Sequence, residues 1–232
     1  MQLPSITALV GNEIEGKAKW DACVRGADDC IYGIPLAARR RVVKFDPKDE
    51  SLTEIDPDLG DGRQWLCGVL ACNGRIYCLP YNSGKILKID TVNGTVTTIN
   101  VNLPEIGDGM WSPGALALDG CIYYMPYRAH RILKFNPEDE STVSVGEDLG
   151  DKERKFSGTV RNNDGYLCGI PDDSNFLVRF NPMDQSMSSF IAEETDNDFE
   201  CDNGALGRDG HIYAMTTNGM LRNEQHLLIF ME

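Results

Sequence analysis

Asp21 and Asp202 stand in matching places along the chain, each directly after a residue that opens a repeated segment, and Glu200 lies two residues before the second. Carboxylates brought together from distant segments can divide acid and base roles, or hold a divalent cation through oxygen ligands. Two solvated rim charges are the plainer reading. A second set lies in the loops Tyr81-Asn82, Tyr127-Arg128 and Asp172-Asp173, where aromatic, cationic and acidic side chains succeed one another. Tyr and Arg are the residue types that anchor binding surfaces. A third set is Trp20, Trp65 and Trp111, with Phe156 in the fourth equivalent place. Such rings can stack a sugar or an aromatic group, or simply pack one structural unit on the next.

What must position these residues is a repeat. The stretch Asn73-Gly74-Arg75-Ile76-Tyr77-Cys78-Leu79-Pro80 has four counterparts, so that its central Ile or Leu falls at 31, 76, 122, 167 and 212, steps of 45, 46, 45 and 45 residues. A period of that size means a repeat architecture. Each unit reads as four strands. Strand a starts at the aromatic residue and is rich in small side chains. An Asn-Gly or Asp-Gly turn follows, with Asp28-Asp29 in the first unit. Strand b is Ile-Tyr-x-Leu/Ile-Pro, ended by its proline. Strand c is typified by Lys85-Ile86-Leu87-Lys88-Ile89-Asp90, and strand d by Thr95-Val96-Thr97-Thr98-Ile99.

Four antiparallel strands per unit predict an all-β chain folded as a single five-bladed β-propeller. One domain, 1–232, is expected, with blades at about 20–64, 65–110, 111–155, 156–200, and 201–232 together with 1–19. The last blade lacks its own strand d. The spacing from strand c to the next opening residue is 19 to 21 residues, and running on from Met231 through the chain end to Trp20 also takes 21. Ile6 to Val10 is therefore expected to pair with His226 to Phe230, the N-terminal strand joining the C-terminal blade and closing the ring. Closure hides sheet edges, and it would make Asp21 and Asp202 neighbours at the channel mouth.

The run Asn-Gly-x-Ile-Tyr, then x-Ile-Leu-Lys-Ile-Asp-x, then a Thr-rich strand resembles Kelch repeats across all five units. Pro80, Pro126 and Pro171 stand where a Kelch blade carries its Gly-Gly doublet. The resemblance implies a propeller, and propellers of that kind mostly bind proteins. The leading expectation is therefore a non-enzymatic protein-interaction scaffold working through the face that carries the b–c and d–a loops. The alternatives are a carbohydrate-binding lectin-like propeller, with a glycan or other small ligand on that face, and a glycoside-hydrolase-like enzyme with carboxylates at the channel mouth.

The remaining features narrow the partners. Lys and Arg number 22 against 36 Asp and Glu, a formal charge of −14, which argues against a nucleic-acid partner and an anionic membrane surface, and neither is expected. Gly11-Asn12-Glu13-Ile14-Glu15-Gly16-Lys17-Ala18 falls short of a phosphate loop because Ala18 replaces the needed Ser or Thr. Asp56, Asp58 and Asp61 lack the spacing of a calcium loop, and His130, His211 and His226 lack metal-ligand spacing. No metal or cofactor is expected. The eight cysteines are irregularly spaced and are read as reduced thiols. A monomer is expected. No basic-then-apolar leader is visible, so the expected location is cytoplasmic, with a secreted mature form left open.

Overall fold

The computed structural model describes residues 20–35, 40–60, 64–81, 84–105, 107–173, 176–191, 201–216 and 227–230. These form five antiparallel meanders. The first sheet runs β1 (Trp20–Arg25), β2 (Ile31–Pro35), β3 (Val42–Asp46), β4 (Ser51–Ile55), and the second β5 (Val69–Leu70), β6 (Arg75–Cys78), β7 (Lys85–Asp90), β8 (Thr95–Asn100). The third is β9 (Ala115–Leu116), β10 (Ile122–Tyr124), β11 (Ile132–Asn136), β12 (Ser141–Val145), and the fourth β13 (Phe156–Arg161), β14 (Leu167–Pro171), β15 (Phe176–Phe180), β16 (Met187–Ile191). The fifth has three strands, β17 (Cys201–Leu206), β18 (Ile212–Thr216) and β19 (Leu227–Phe230). Among the described residues none is helical, and no helix is long and apolar enough to cross a membrane. The expected pairing of Ile6–Val10 with the last strand lies outside the described residues.

The repeated Asp/Asn-x-x-x-Tyr spacing has a local cause. One oxygen of the Asp or Asn caps the a–b turn, accepting a backbone N–H two residues on: Cys30 to Asp28, Arg75 to Asn73, Cys121 to Asp119 and His211 to Asp209. The rest of the side chain meets the tyrosine of strand b. The Tyr32 hydroxyl donates to Asp28 at 2.9 Å and that of Tyr123 to Asp119 at 2.8 Å, while the Asn73 amide donates to the Tyr77 oxygen at 3.1 Å. Gly74 takes φ 76° and Gly120 φ 80°, a conformation that glycine adopts without penalty; in the first unit Asp29 takes it instead, at φ 67°.

The same aspartates receive lysines from strand c, Lys44 to Asp28 at 2.7 Å and Lys134 to Asp119 at 3.0 Å. Burial pushes the Asp28 and Asp119 carboxyls up, but the hydrogen bonds from lysine, tyrosine and backbone outweigh it, and both sit below the ordinary 3.8. Burial and the Asp28 bond hold Tyr32 protonated, pushed up to about 12. Carboxylates with lowered folded values stabilise the fold above their unfolded value and lose that contribution as pH falls through the folded one. Stability should thus be level above the ordinary aspartate value and drop below it. Asp28→Asn with Asp119→Asn should flatten that drop, as read by denaturant midpoints along a pH series.

Strand b is buried because each sheet lies against the next. Tyr32, Ile76, Tyr77, Ile122 and Tyr123 are fully buried, and Tyr77 packs on Phe135 of the third sheet with ring centroids 4.9 Å apart. Tyr123 does the same with Phe180 of the fourth, at 5.7 Å. The core is therefore a series of layers between neighbouring sheets, each such buried side chain contributing about 1.5–3 kcal/mol. The first strands β1, β5, β9, β13 and β17 touch in sequence order, so successive sheets meet along their inner edges. All eight cysteines lie among the described residues and none is in a disulfide; Cys30, Cys78, Cys121 and Cys201 are buried.

Candidate active site

Every sheet carries one extra residue at the head of its inner strand. Trp20 pairs with Pro35 but Ala22 with Ile34, leaving Asp21 as the surplus residue. Phe156 pairs with Pro171 and Gly158 with Ile170, leaving Ser157. Between the Cys201–Thr216 and Gly204–Ala214 pairs, Asp202 and Asn203 face a single partner residue. The bridges Trp65–Pro80 and Trp111–Pro126, followed by Val69–Tyr77 and Ala115–Tyr123, show the same surplus. A bulge at a sheet rim re-aims the residue that it contains. Leu66, Ser112, Ser157 and Asp202, the residues after the opening position in four successive sheets, line one cavity of about 270 Å³.

The same cavity receives the residue after the strand-b proline, Tyr81, Tyr127 and Asp172. Proline has no N–H, so the next residue makes the bond that ties strand b to the incoming loop. Tyr81 donates to Gln64 O at 2.6 Å, Tyr127 to Met110 O at 2.9 Å and Asp172 to Lys155 O at 3.0 Å. Two tiers of equivalent positions thus meet in one cavity at the ends of the strands. Scaffold positions of this kind hold side chains to the precision that chemistry needs.

Arg154 supplies the strongest interaction. Its guanidinium grips Asp172 in a fork, Nε at 3.2 Å and Nη2 at 3.1 Å, while Asp172 is only 6% exposed. Bidentate pairs of this kind fix orientation as well as charge. Tyr127 is held protonated by burial and by the neighbouring Asp172 charge, with Arg154 working the other way. Asp202 is the exposed carboxylate of the cavity. Cys201 is no nucleophile, because burial, then Asp172 and Asp202, push its thiol up to about 11. The Ser112 and Ser157 hydroxyls donate to Met125 O and Ile170 O, so they build the wall.

Of the residues expected from sequence, the structure gathers Tyr81, Tyr127, Asp172, Asp202 and Trp111 around this cavity. Asp21 lies at the bulge of β1. Glu200 and Asn82 lie outside the described residues. Arg128 is exposed, donating to Asp108 O at 3.3 Å, and Asp173 is exposed beside the site. Trp65 and Trp111 are 1% and 5% exposed, and their indole N–H groups donate to Lys85 O and Arg131 O; Trp20 is half-buried. Among the described residues, no group of three His, Cys, Asp or Glu could hold a metal ion. Arg154 escaped the sequence reading. Its trace was a cation two residues before the aromatic that opens β13, in the unit whose strand-b proline is followed by an aspartate.

No family model and no curated protein sequence matches the chain. Solved structures do. Virginiamycin B lyase from Staphylococcus aureus superposes with a TM-score of 0.66 at 14% identity, covering 89% of this chain and 68% of that one. Another structure is of a catalytically inactive histidine-to-alanine variant of that lyase with quinupristin, with a TM-score of 0.67 at 13% identity, covering 90% and 69%. The WD40 repeats of RRP9 superpose at 0.66 with 14% identity, covering 94% and 62%. The likeness shows a β-propeller fold. It also corrects the expectation of a non-enzymatic protein-interaction scaffold. That expectation stood on what propellers of this kind mostly do, and the leading structures similar over nine-tenths of this chain are those of an enzyme.

Proposed function

We propose that the chain is an enzyme that cleaves a polar bond by acid–base chemistry in the axial cavity, as a lyase. The observation that carries this is the convergence of an exposed carboxylate, a protonated phenol and an arginine-clamped carboxylate on one concave site built from four sheets. Asp202 takes a proton from carbon beside an electron-withdrawing group. The electron pair forms a double bond and expels the leaving oxygen, which Tyr127 protonates. Arg154, which hydrogen-bonds the phenol and grips Asp172, orients it. Burial of the tyrosine keeps its proton available at neutral pH.

Support for an elimination comes from the solved lyases that share this fold. That lyase is inactivated by loss of a histidine, whereas no histidine lines the cavity among the described residues; the base here is a carboxylate. A glycoside-hydrolase-like reading is the second one, favoured by two aspartates in a single cavity. The finer architecture belongs to the same proposal: a closed, monomeric five-bladed ring with Kelch-like repeats, sealed by the N-terminal strand. Turnover of quinupristin and a panel of aryl glycosides in heavy-oxygen water separates the two. Elimination yields an unsaturated product without label, and hydrolysis yields a product carrying one labelled oxygen. Label in the product would overturn the lyase reading.

A further inference from the structure

A second cavity, of about 330 Å³, opens between the second and third sheets and shares Tyr81 and Trp111 with the axial one. The Tyr81 ring stands between them, seated on Gly109. A Cβ at Gly109 would lie 2.9 Å from the ring, and Gly109 N–H donates to Tyr81 O at 3.0 Å. Val101, Leu103 and Met110 line this side cavity, half-buried, with Pro80 and Trp111, and the exposed Asn102 and Asp108 line it too. The equivalent position between the first and second sheets is a contrast. There a cavity of about 320 Å³ is lined by Asp58, Gln64, Lys85 and Thr98 beside Pro57, Leu59 and Trp65. Gln64 occupies the place that Met110 has in the next unit, and its amide donates to Leu59 O at 2.7 Å. The cavity between the second and third sheets is thus the more apolar of the two, and it is the one that shares residues with the axial site.

We infer that the substrate is an amphiphile in two parts, a polar reacting part in the axial cavity and an aromatic or branched aliphatic arm lying past Tyr81 in the side cavity. This rests on the axial cavity being the active site. Apolar pockets that adjoin a few convergent polar groups are the usual form of a small-molecule site. The arm carries no negative charge, because Val101, Leu103 and Met110 would desolvate it and Asp108 would repel it.

The test uses n-alkyl glucosides, methyl to octyl, below their micelle concentrations, titrated into the intact protein by calorimetry. Affinity is expected to rise about fourfold per methylene as the chain enters the side cavity. In Met110→Gln with Leu103→Asn the rise should fall below about twofold per step, toward the polar character of the first interblade cavity. A series with no rise, or an equal rise in the double variant, overturns the inference. In the wild-type protein an alkyl glucoside ending in a benzophenone should cross-link within residues 101–111, and labelling confined to other segments overturns it too. These readouts need no turnover. If Asp202→Asn kept full activity, the axial assignment would fail while the chain-length series remained scored on its own.

Discussion

Arg154→Met is expected to destabilise the protein by about 2 kcal/mol and to abolish turnover. Removing one partner of a buried pair strands the other charge, at a cost of about 3–5 kcal/mol for a fully buried pair. Asp172 is 8% exposed at its side chain, but Arg154 is 40% exposed, so solvent reduces the expected value. The loss should come from the stranded carboxylate. Asp172→Asn added to Arg154→Met should therefore recover much of the stability without recovering activity. Arg154→Lys should lie between, since an ammonium restores charge but not the fork. The deficit of Arg154→Met should also shrink as pH falls, because an unpaired buried carboxyl takes up a proton readily. Denaturant midpoints at neutral and acid pH measure all of this. A deficit that persists unchanged in the double variant would show that the guanidinium works by packing instead.

Asp202→Asn is expected to lower kcat by about 10²–10⁴-fold, the range for removing a positioned base, while KM and the melting transition change little. An asparagine of the same shape keeps the bulge between Cys201 and Gly204 and loses only the proton acceptor. Equal loss in kcat and kcat/KM is the signature of an interaction made in the transition state. Tyr127→Phe should give a smaller loss that is greatest for substrates with poor leaving groups, because the phenol proton matters most where the leaving oxygen is basic.

The sheet arrangement was legible because it is written five times over. The Asp-x-x-x-Tyr spacing encodes a turn cap and a tyrosine anchor together, and the period of 45 residues leaves room for four strands. The aromatic opening each unit was also legible, and the structure gives Trp65 and Trp111 packing work alongside their place in cavity walls. The site itself was legible in half. Positions after the aromatic and after the proline were visible as two series, and Tyr81, Tyr127, Asp172 and Asp202 were named from them. What joins the two series into one cavity is the extra residue in every inner strand, and a bulge is a register property that no single strand's sequence carries. Arg154 was hidden for a related reason. It sits at φ 55° in an irregular d–a loop, and its partner lies eighteen residues on, across strands β13 and β14. The functional class was the poorest guess, because a repeat describes the scaffold and is indifferent to what the scaffold holds.

The most direct test of the account is a crystal structure of Asp202→Asn bound to a compound that the wild-type protein turns over. The account predicts substrate density in the axial cavity, with the scissile bond between residue 202 and the Tyr127 hydroxyl and an apolar arm running past Tyr81. Density on the opposite face instead, at the a–b turns around Asp119 and Asp164, or a cavity empty at saturating compound, would contradict it.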